Sequence, residues 1–137
     1  MLEHIFVPLM LAESLGEVRG KTRFQKLVFL VQRCAEKEKT DFDLNFDIYL
    51  HGPFSQELSL VIDDLVRRGD IEESIEQIPP YYEMHTYRLT DKGREMLRNA
   101  RTKKIIPTRI AHIVRDTSEK YGRLPLTKLV EEAYRQF

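Results

Sequence analysis

His51-Gly52-Pro53-Phe54-Ser55-Gln56-Glu57-Leu58, continued to Gly69, decides the fold. Gly-Pro sets a sharp bend that neither continues a strand nor opens a helix interior. Ser55 is then a natural N-cap, because its hydroxyl accepts a free N–H of the first turn. Glu57 falls in that turn, where the helix dipole favours an anion. Leu58, Val61, Ile62 and Leu65 recur three or four apart and share one face. Arg67 and Arg68 suit the negative end, and Gly69 supplies the stop. The spacing predicts a helix over 55–68.

Outward from this helix the period changes. Phe42, Leu44, Phe46, Ile48 and Leu50 alternate with polar residues or Tyr49, which predicts a half-buried strand over 42–50 leading in. Ile71–Ile78 and Tyr81–Leu89 read as two strands joined at Pro79-Pro80, and Thr90 caps a helix with Met96, Leu97 and Ala100 inward. Upstream, 2–15 reads as a helix with Ile5, Leu9 and Ala12 on one face, Pro8 in its first turn or at a kink, and Gly16 as its stop. A second helix is expected to start at Thr22, with Gln25 in capping-box spacing. Its inward face is Phe24, Leu27, Val28, Val31, Cys34 and Ala35, so Cys34 reads as a buried small residue. Two further helices follow Pro107 and Pro125.

A capped helix between an incoming strand and an outgoing hairpin is the skeleton of a winged helix. The expected class is mostly α with a small β-hairpin (α+β): a winged helix-turn-helix with extra N- and C-terminal helices. One domain is expected over 1–137, with the winged-helix core at about 22–103 and C-terminal helices at about 106–137.

Charge sums to zero but is unevenly placed: residues 41–90 carry −8 and residues 91–137 carry +6. A bulk electrostatic pull on nucleic acid is therefore excluded, while local patches are not. The single cysteine excludes an internal disulfide framework and fits a reducing cytoplasm. The longest apolar run, Ile5 to Ala12, is too short for a bilayer and has no signal-peptide flanks. No membrane association is expected.

Tyr87-Arg88-Leu89-Thr90-Asp91-Lys92-Gly93 resembles the Y-x-L-T-x-x-G wing end of MarR- and PadR-type winged-helix regulators. Gly20-Lys21-Thr22-Arg23-Phe24-Gln25-Lys26-Leu27-Val28-Phe29-Leu30, followed by His51 to Leu58, resembles the YwgA-like family of small prokaryotic proteins. That resemblance covers roughly 15–95 and implies a predicted transcriptional regulator. A weaker resemblance, through Gln25-Lys26-Leu27 and Gly52-Pro53, is to Panacea-type antitoxin domains.

Other motifs reduce to structure. Gly16 to Thr22 imitates a phosphate loop but has three residues between its glycines, where that loop needs four, and it follows a helix rather than a strand. His4, His51, His85 and His112 show no ligand spacing, so no metal and no cofactor is expected. No nucleophile–base pairing suggests an enzyme.

The helix 55–68 occupies the place of a recognition helix. Ser55, Gln56, Leu60 and Arg67 are the candidate nucleic-acid-binding residues on it, Gln56 and Arg67 as base readers and Leu60 against a thymine methyl, with Asp63 and Asp64 as unfavourable neighbours. Asp70, Glu72, Glu73, Glu76 and Glu83 make the wing acidic, whereas a wing on DNA should be basic. Tyr81, Tyr82 and Tyr87 suit either base stacking or cross-strand packing. Arg94, Arg98 and Arg101 form one stripe that Lys103 and Lys104 extend, and these are the candidate phosphate contacts, with Lys21, Arg23 and Lys26 as further ones. The expected function is a cytoplasmic regulator that binds double-stranded DNA as a homodimer. Its pairing is expected within 106–137, through the stripes Ile106/Ile110/Ile113/Val114 and Leu126/Leu129/Val130/Ala133/Tyr134. The alternative is a protein-interaction module of antitoxin or adaptor type, with Leu60, Asp63, Asp64 and the acidic wing facing a basic partner.

Overall fold

A run as apolar as Ile5 to Ala12 needs cover on more than one side, and the fold is built around it. The computed structural model describes residues 3–40 and 42–137. Among these, α1 (Glu3–Leu15), β1 (Val18–Arg19), α2 (Lys21–Lys37), β2 (Asp47–Tyr49), β3 (Gly52–Phe54), α3 (Gln56–Arg67), β4 (Ile71–Ile78), β5 (Tyr82–Leu89), α4 (Asp91–Thr102), α5 (Thr108–Tyr121) and α6 (Leu126–Gln136) follow in order. Leu2 of the expected helix 2–15 lies outside the described residues.

The result is the expected α+β winged helix. Its sheet is antiparallel in the order β1-β5-β4. The wing, β4 and β5, pairs from Ile71↔Leu89 out to Ile78↔Tyr82. β1 adds Val18↔Tyr87 and Arg19↔Thr86, a strand too short to leave a periodic signal. One hydrophobic cluster runs from Phe6 to Ala133.

α1 is buried continuously from Phe6 to Ala12 and packs on α2, α3, α4, α5 and β5. α1 and β1 thus pack directly on elements of the expected 22–103 core. α2 is likewise buried from Phe24 to Gln32 and needs several covers. α5 supplies one, with Ile110, Ile113 and Val114, while packing on α1 as well. α6 supplies another, with Leu129 and Ala133, and also touches β3. The central residues of both C-terminal stripes are thus buried inside one chain. Only Leu126 and Tyr134 of those stripes stay exposed.

Several local expectations change. The strand over 42–50 contracts to β2. Phe42 and Leu44 are buried in irregular chain, while Ile48 and Leu50 face solvent. Gln32 replaces the missing strand partner, since its amide donates to the Leu44 carbonyl and accepts the Leu44 N–H, both at 2.9 Å. Gly52-Pro53-Phe54 is itself a strand, paired from Tyr49↔Gly52 to Asp47↔Phe54. A two-stranded ribbon has no inner strand, so Pro53 costs no ladder bond there. The bend falls earlier, at Leu50-His51, with Gly52 at φ 94°. α2 starts at Lys21 with Gly20 as its cap and no side-chain cap bond, so Thr22 does not cap it. Cys34 is half-buried rather than buried, and its thiol donates to Glu38 at 3.4 Å.

The wing base explains the Tyr87–Gly93 motif. Tyr87 packs edge-on against Phe24, with ring centroids 5.3 Å apart. Thr90 caps α4 by accepting the Gly93 N–H at 3.0 Å, and its own hydroxyl donates to the Gly69 carbonyl at 2.7 Å. Gly93 sits against the chain leaving α3: a Cβ there would stand 2.2 Å from the Asp70 carbonyl oxygen.

Candidate functional site

α3 forms as its sequence predicts. Ser55 is the N-cap and accepts the Leu58 N–H at 3.0 Å. Leu58, Ile62 and Leu65 are buried, and the helix ends at Arg68-Gly69. Ser55 itself is fully buried with its hydroxyl committed to the cap, so it is not a base-reading residue. Gln56, Leu60, Asp63 and Arg67 share the exposed side, with Leu60 60% exposed. Arg67 is drawn onto Asp64, and Arg68 lies 3.6 Å from the same carboxylate, so the two basic groups of this helix are locally answered.

The wing presents carboxylates beside exposed apolar side chains. Glu72 and Glu76 are exposed and have no basic partner within 4.0 Å among the described residues. His85 stands between Glu73 (2.9 Å) and Glu83 (3.5 Å). The Gln77 amide beside Glu83 holds that carboxyl below its usual range. Ile75, Ile78, Tyr81 and Tyr82 are exposed toward the tip. Asp70 does not belong to this surface. It is fully buried at the wing base, where its backbone N–H closes α3 on Leu65. Tyr87 is buried too and cannot stack on a base.

The basic stripe on α4 is exposed but answered residue by residue. Arg94 pairs with Asp91 at 2.8 Å, Arg98 with Glu95, and Arg101 grips Glu13 of α1 through both terminal nitrogens at 2.9 and 2.6 Å. Lys103 and Lys104 are exposed without an ion pair among the described residues. On α4 the expected phosphate contacts without an ion pair are therefore two lysines, unless phosphate displaces three arginine–carboxylate pairs; Lys21 of α2 is likewise exposed without an ion pair among the described residues, and Arg23 donates to the Gly122 carbonyl at 3.2 Å.

Lys26 departs furthest from expectation. It is 2% exposed, so it is not part of an open basic surface that a nucleic-acid backbone could lie against. Its ammonium donates to the Pro53 carbonyl at 2.8 Å, and burial pushes its pKa down to about 8. Beside it the Gln25 amide donates to the Ser55 carbonyl at 2.9 Å and accepts the Ser55 N–H at 2.8 Å. Gln25, Lys26 and Gln32 together fasten the 44–55 segment onto α2. Between α2 and the β2–β3 ribbon lies a cleft of about 370 Å³, lined by Lys21, Lys26, Tyr49, Leu50, His51 and Phe54 among others. Leu50 at its lip is 92% exposed. The signal in the sequence was a Gln-Lys pair inside the otherwise apolar run Phe24–Val31, where polar side chains must meet buried main chain.

No group of three or more His, Cys, Asp or Glu among the described residues is placed to hold a metal ion. No helix among them is long and apolar enough to cross a membrane.

No protein-family model matches the chain. The chain is similar to a Bacillus subtilis (strain 168) protein named "Uncharacterized protein YwgA", 32% identical over 85 residues, which are 62% of this chain and 48% of that protein. The chain thus spans about half the length of the relative it matches. This likeness supports the YwgA-like resemblance and does not show one to MarR- or PadR-type regulators.

Proposed function

We propose that the chain is a protein-interaction module on a winged-helix frame, taking a basic partner against the outer side of α3 and the wing. One observation carries this reading: the arginine stripe is paired inside the chain, while Glu72 and Glu76 of the wing have no basic partner among the described residues. Phosphate binding draws its free energy from cations that replace condensed counterions. Unanswered carboxylates on the wing oppose that, and they favour lysine or arginine on a partner. Exposed Leu60, Ile75 and Tyr82 add apolar area of the kind that interfaces bury at their centre.

The second reading is the DNA-binding regulator, supported by the exposed Gln56 and Leu60 on α3 and by the free Lys103 and Lys104. A gel shift with DNA from upstream of the chain's own gene, at low salt, separates the two. The interaction reading expects no shift. It also expects proteins captured by the wild type to be lost with Asp63→Lys/Glu76→Lys. A shift that weakens in Lys103→Ala/Lys104→Ala and changes sequence preference in Gln56→Ala would overturn it.

A further inference from the structure

The cleft between α2 and the β2–β3 ribbon takes no lining residue from α3 or the wing, and it has its own chemistry. A volume of about 370 Å³ falls within the usual range of small-molecule sites, about 300–1,000 Å³. Its walls are largely apolar, from Tyr49, Leu50 and Phe54. Lys26, 2% exposed, is among its lining residues and carries a buried ammonium. An ammonium has three donors, and Lys26 spends one on the Pro53 carbonyl. No carboxylate lies within 4.0 Å of it among the described residues. A buried charge without a counter-charge is costly to keep, and such groups concentrate at binding sites. The titratable groups facing it are Lys21 of α2, Tyr49 and His51 of the ribbon, and Tyr134 of α6, none of them a carboxylate. Gly52 packs against the lysine stem and the α6 ring: a Cβ there would meet Lys26 Cε and Tyr134 at 3.4 Å, an ordinary contact. At the mouth, Tyr49 and Leu50 are held in water at 57% and 92% exposure.

We propose that this cleft binds a small apolar monocarboxylate, with the carboxylate on the Lys26 ammonium and the hydrocarbon body against Tyr49, Leu50 and Phe54. The ligand supplies the missing counter-charge and covers the apolar lip in one step. It rests on none of the α3 and wing surface, so either reading stands or falls without the other. A peptide C-terminus carries the same group, but a cleft of this size suits a free acid.

Calorimetry on the full chain tests this, with octanoate and octanamide as probes. Octanoate is expected to bind saturably, and octanamide at least about tenfold more weakly, the scale of one charge-assisted contact. Between about pH 8 and pH 9 octanoate binding should take up a proton, because the carboxylate favours the charged amine; the heat then varies with the ionisation enthalpy of the buffer. His51→Ala should leave that uptake in place. Lys26→Met should abolish the preference for acid over amide. If that variant does not fold, the proton uptake of the wild type decides. Equal binding of acid and amide, binding without proton uptake, or no saturable binding at millimolar octanoate would each overturn the proposal. A peptide ending in leucine carboxylate that binds about tenfold tighter than octanoate would overturn the free acid in favour of a chain end.

Discussion

Gln25 and Ser55, thirty positions apart in sequence, exchange two hydrogen bonds: the Gln25 amide nitrogen donates to the Ser55 carbonyl at 2.9 Å and its oxygen accepts the Ser55 N–H at 2.8 Å. The side chain thereby imitates a strand partner at the point where the ribbon turns into α3. Gln25→Leu should leave both main-chain groups buried and unpaired, at about 1–3 kcal/mol each. Urea denaturation should show a midpoint lowered by a loss of that order. Wild-type stability in this variant would mean that water replaces the amide and that the clamp is dispensable.

Ser55 has a second role, since its hydroxyl accepts the Leu58 N–H at 3.0 Å. Ser55→Ala keeps the backbone pair with Gln25 and removes only the cap. The expected loss is about 1 kcal/mol, clearly smaller than that of Gln25→Leu. The reverse ranking in the same denaturation experiment would sink this division of roles.

Gly93 is fixed by space rather than by backbone angle. A Cβ would stand 2.2 Å from the Asp70 carbonyl oxygen and 2.6 Å from Leu89 Cδ1, and the first of these is main chain. Gly93→Ala should therefore destabilise by about 1–3 kcal/mol through overpacking, although alanine is the better helix former. A thermal midpoint unchanged or raised would show that α4 shifts freely on the wing base.

Among the stripe arginines, Arg94 and Arg98 pair within their own helix, whereas Arg101 ties α4 to α1 through a two-point grip on Glu13. All are exposed, so no change should exceed about 1 kcal/mol. Arg101→Ala should nonetheless cost more than Arg94→Ala or Arg98→Ala. A double-mutant cycle of Arg101→Ala with Glu13→Ala checks it, and a coupling energy indistinguishable from zero would refute the tie.

How far the sequence was legible follows from where each signal is local. Ser55, Gly69 and Thr90 act on chain within a few residues of themselves, and the helices they punctuate stand where their spacing placed them. The wing was legible for the same reason, from alternating residues on either side of Pro79-Pro80. Distance defeated the rest. The burial of Lys26 and the pairing of Gln25 depend on a segment thirty residues away, and Gln25 had an equally plausible local role as a capping-box partner. Phe42 to Leu50 alternates like a strand, yet no neighbour is available to pair most of it, and Gln32 takes that place only at Leu44. The C-terminal stripes were read as a pairing surface because the all-round burial of α2 was not visible as a need. The stripe on α4 was read correctly as exposed, but the carboxylates that answer it include Glu13, from a helix far away in sequence.

Lys26 also sets the sign of a pH dependence. Burial lowers its pKa from the usual 10.5 to about 8. Between those values the unfolded chain holds a proton that the folded chain has released, so raising the pH favours the fold. Below about pH 8 both states are charged, and the fold carries the cost of burying the ammonium in full. The slope contributed by this group is at most about 1.4 kcal/mol per pH unit. Tyr87 works against it at higher pH. Its burial, reinforced by Glu73, raises its pKa, so above about pH 10, where an unfolded tyrosine ionises, further increase disfavours the fold. The window for the lysine is therefore about pH 8 to 10. Urea denaturation across that window should show the stability of the wild type rising relative to that of Lys26→Met, whatever their difference at neutral pH. Parallel profiles for the two proteins would mean that the Lys26 ammonium is solvated in the folded chain, and the buried cation lining the cleft would have to be abandoned.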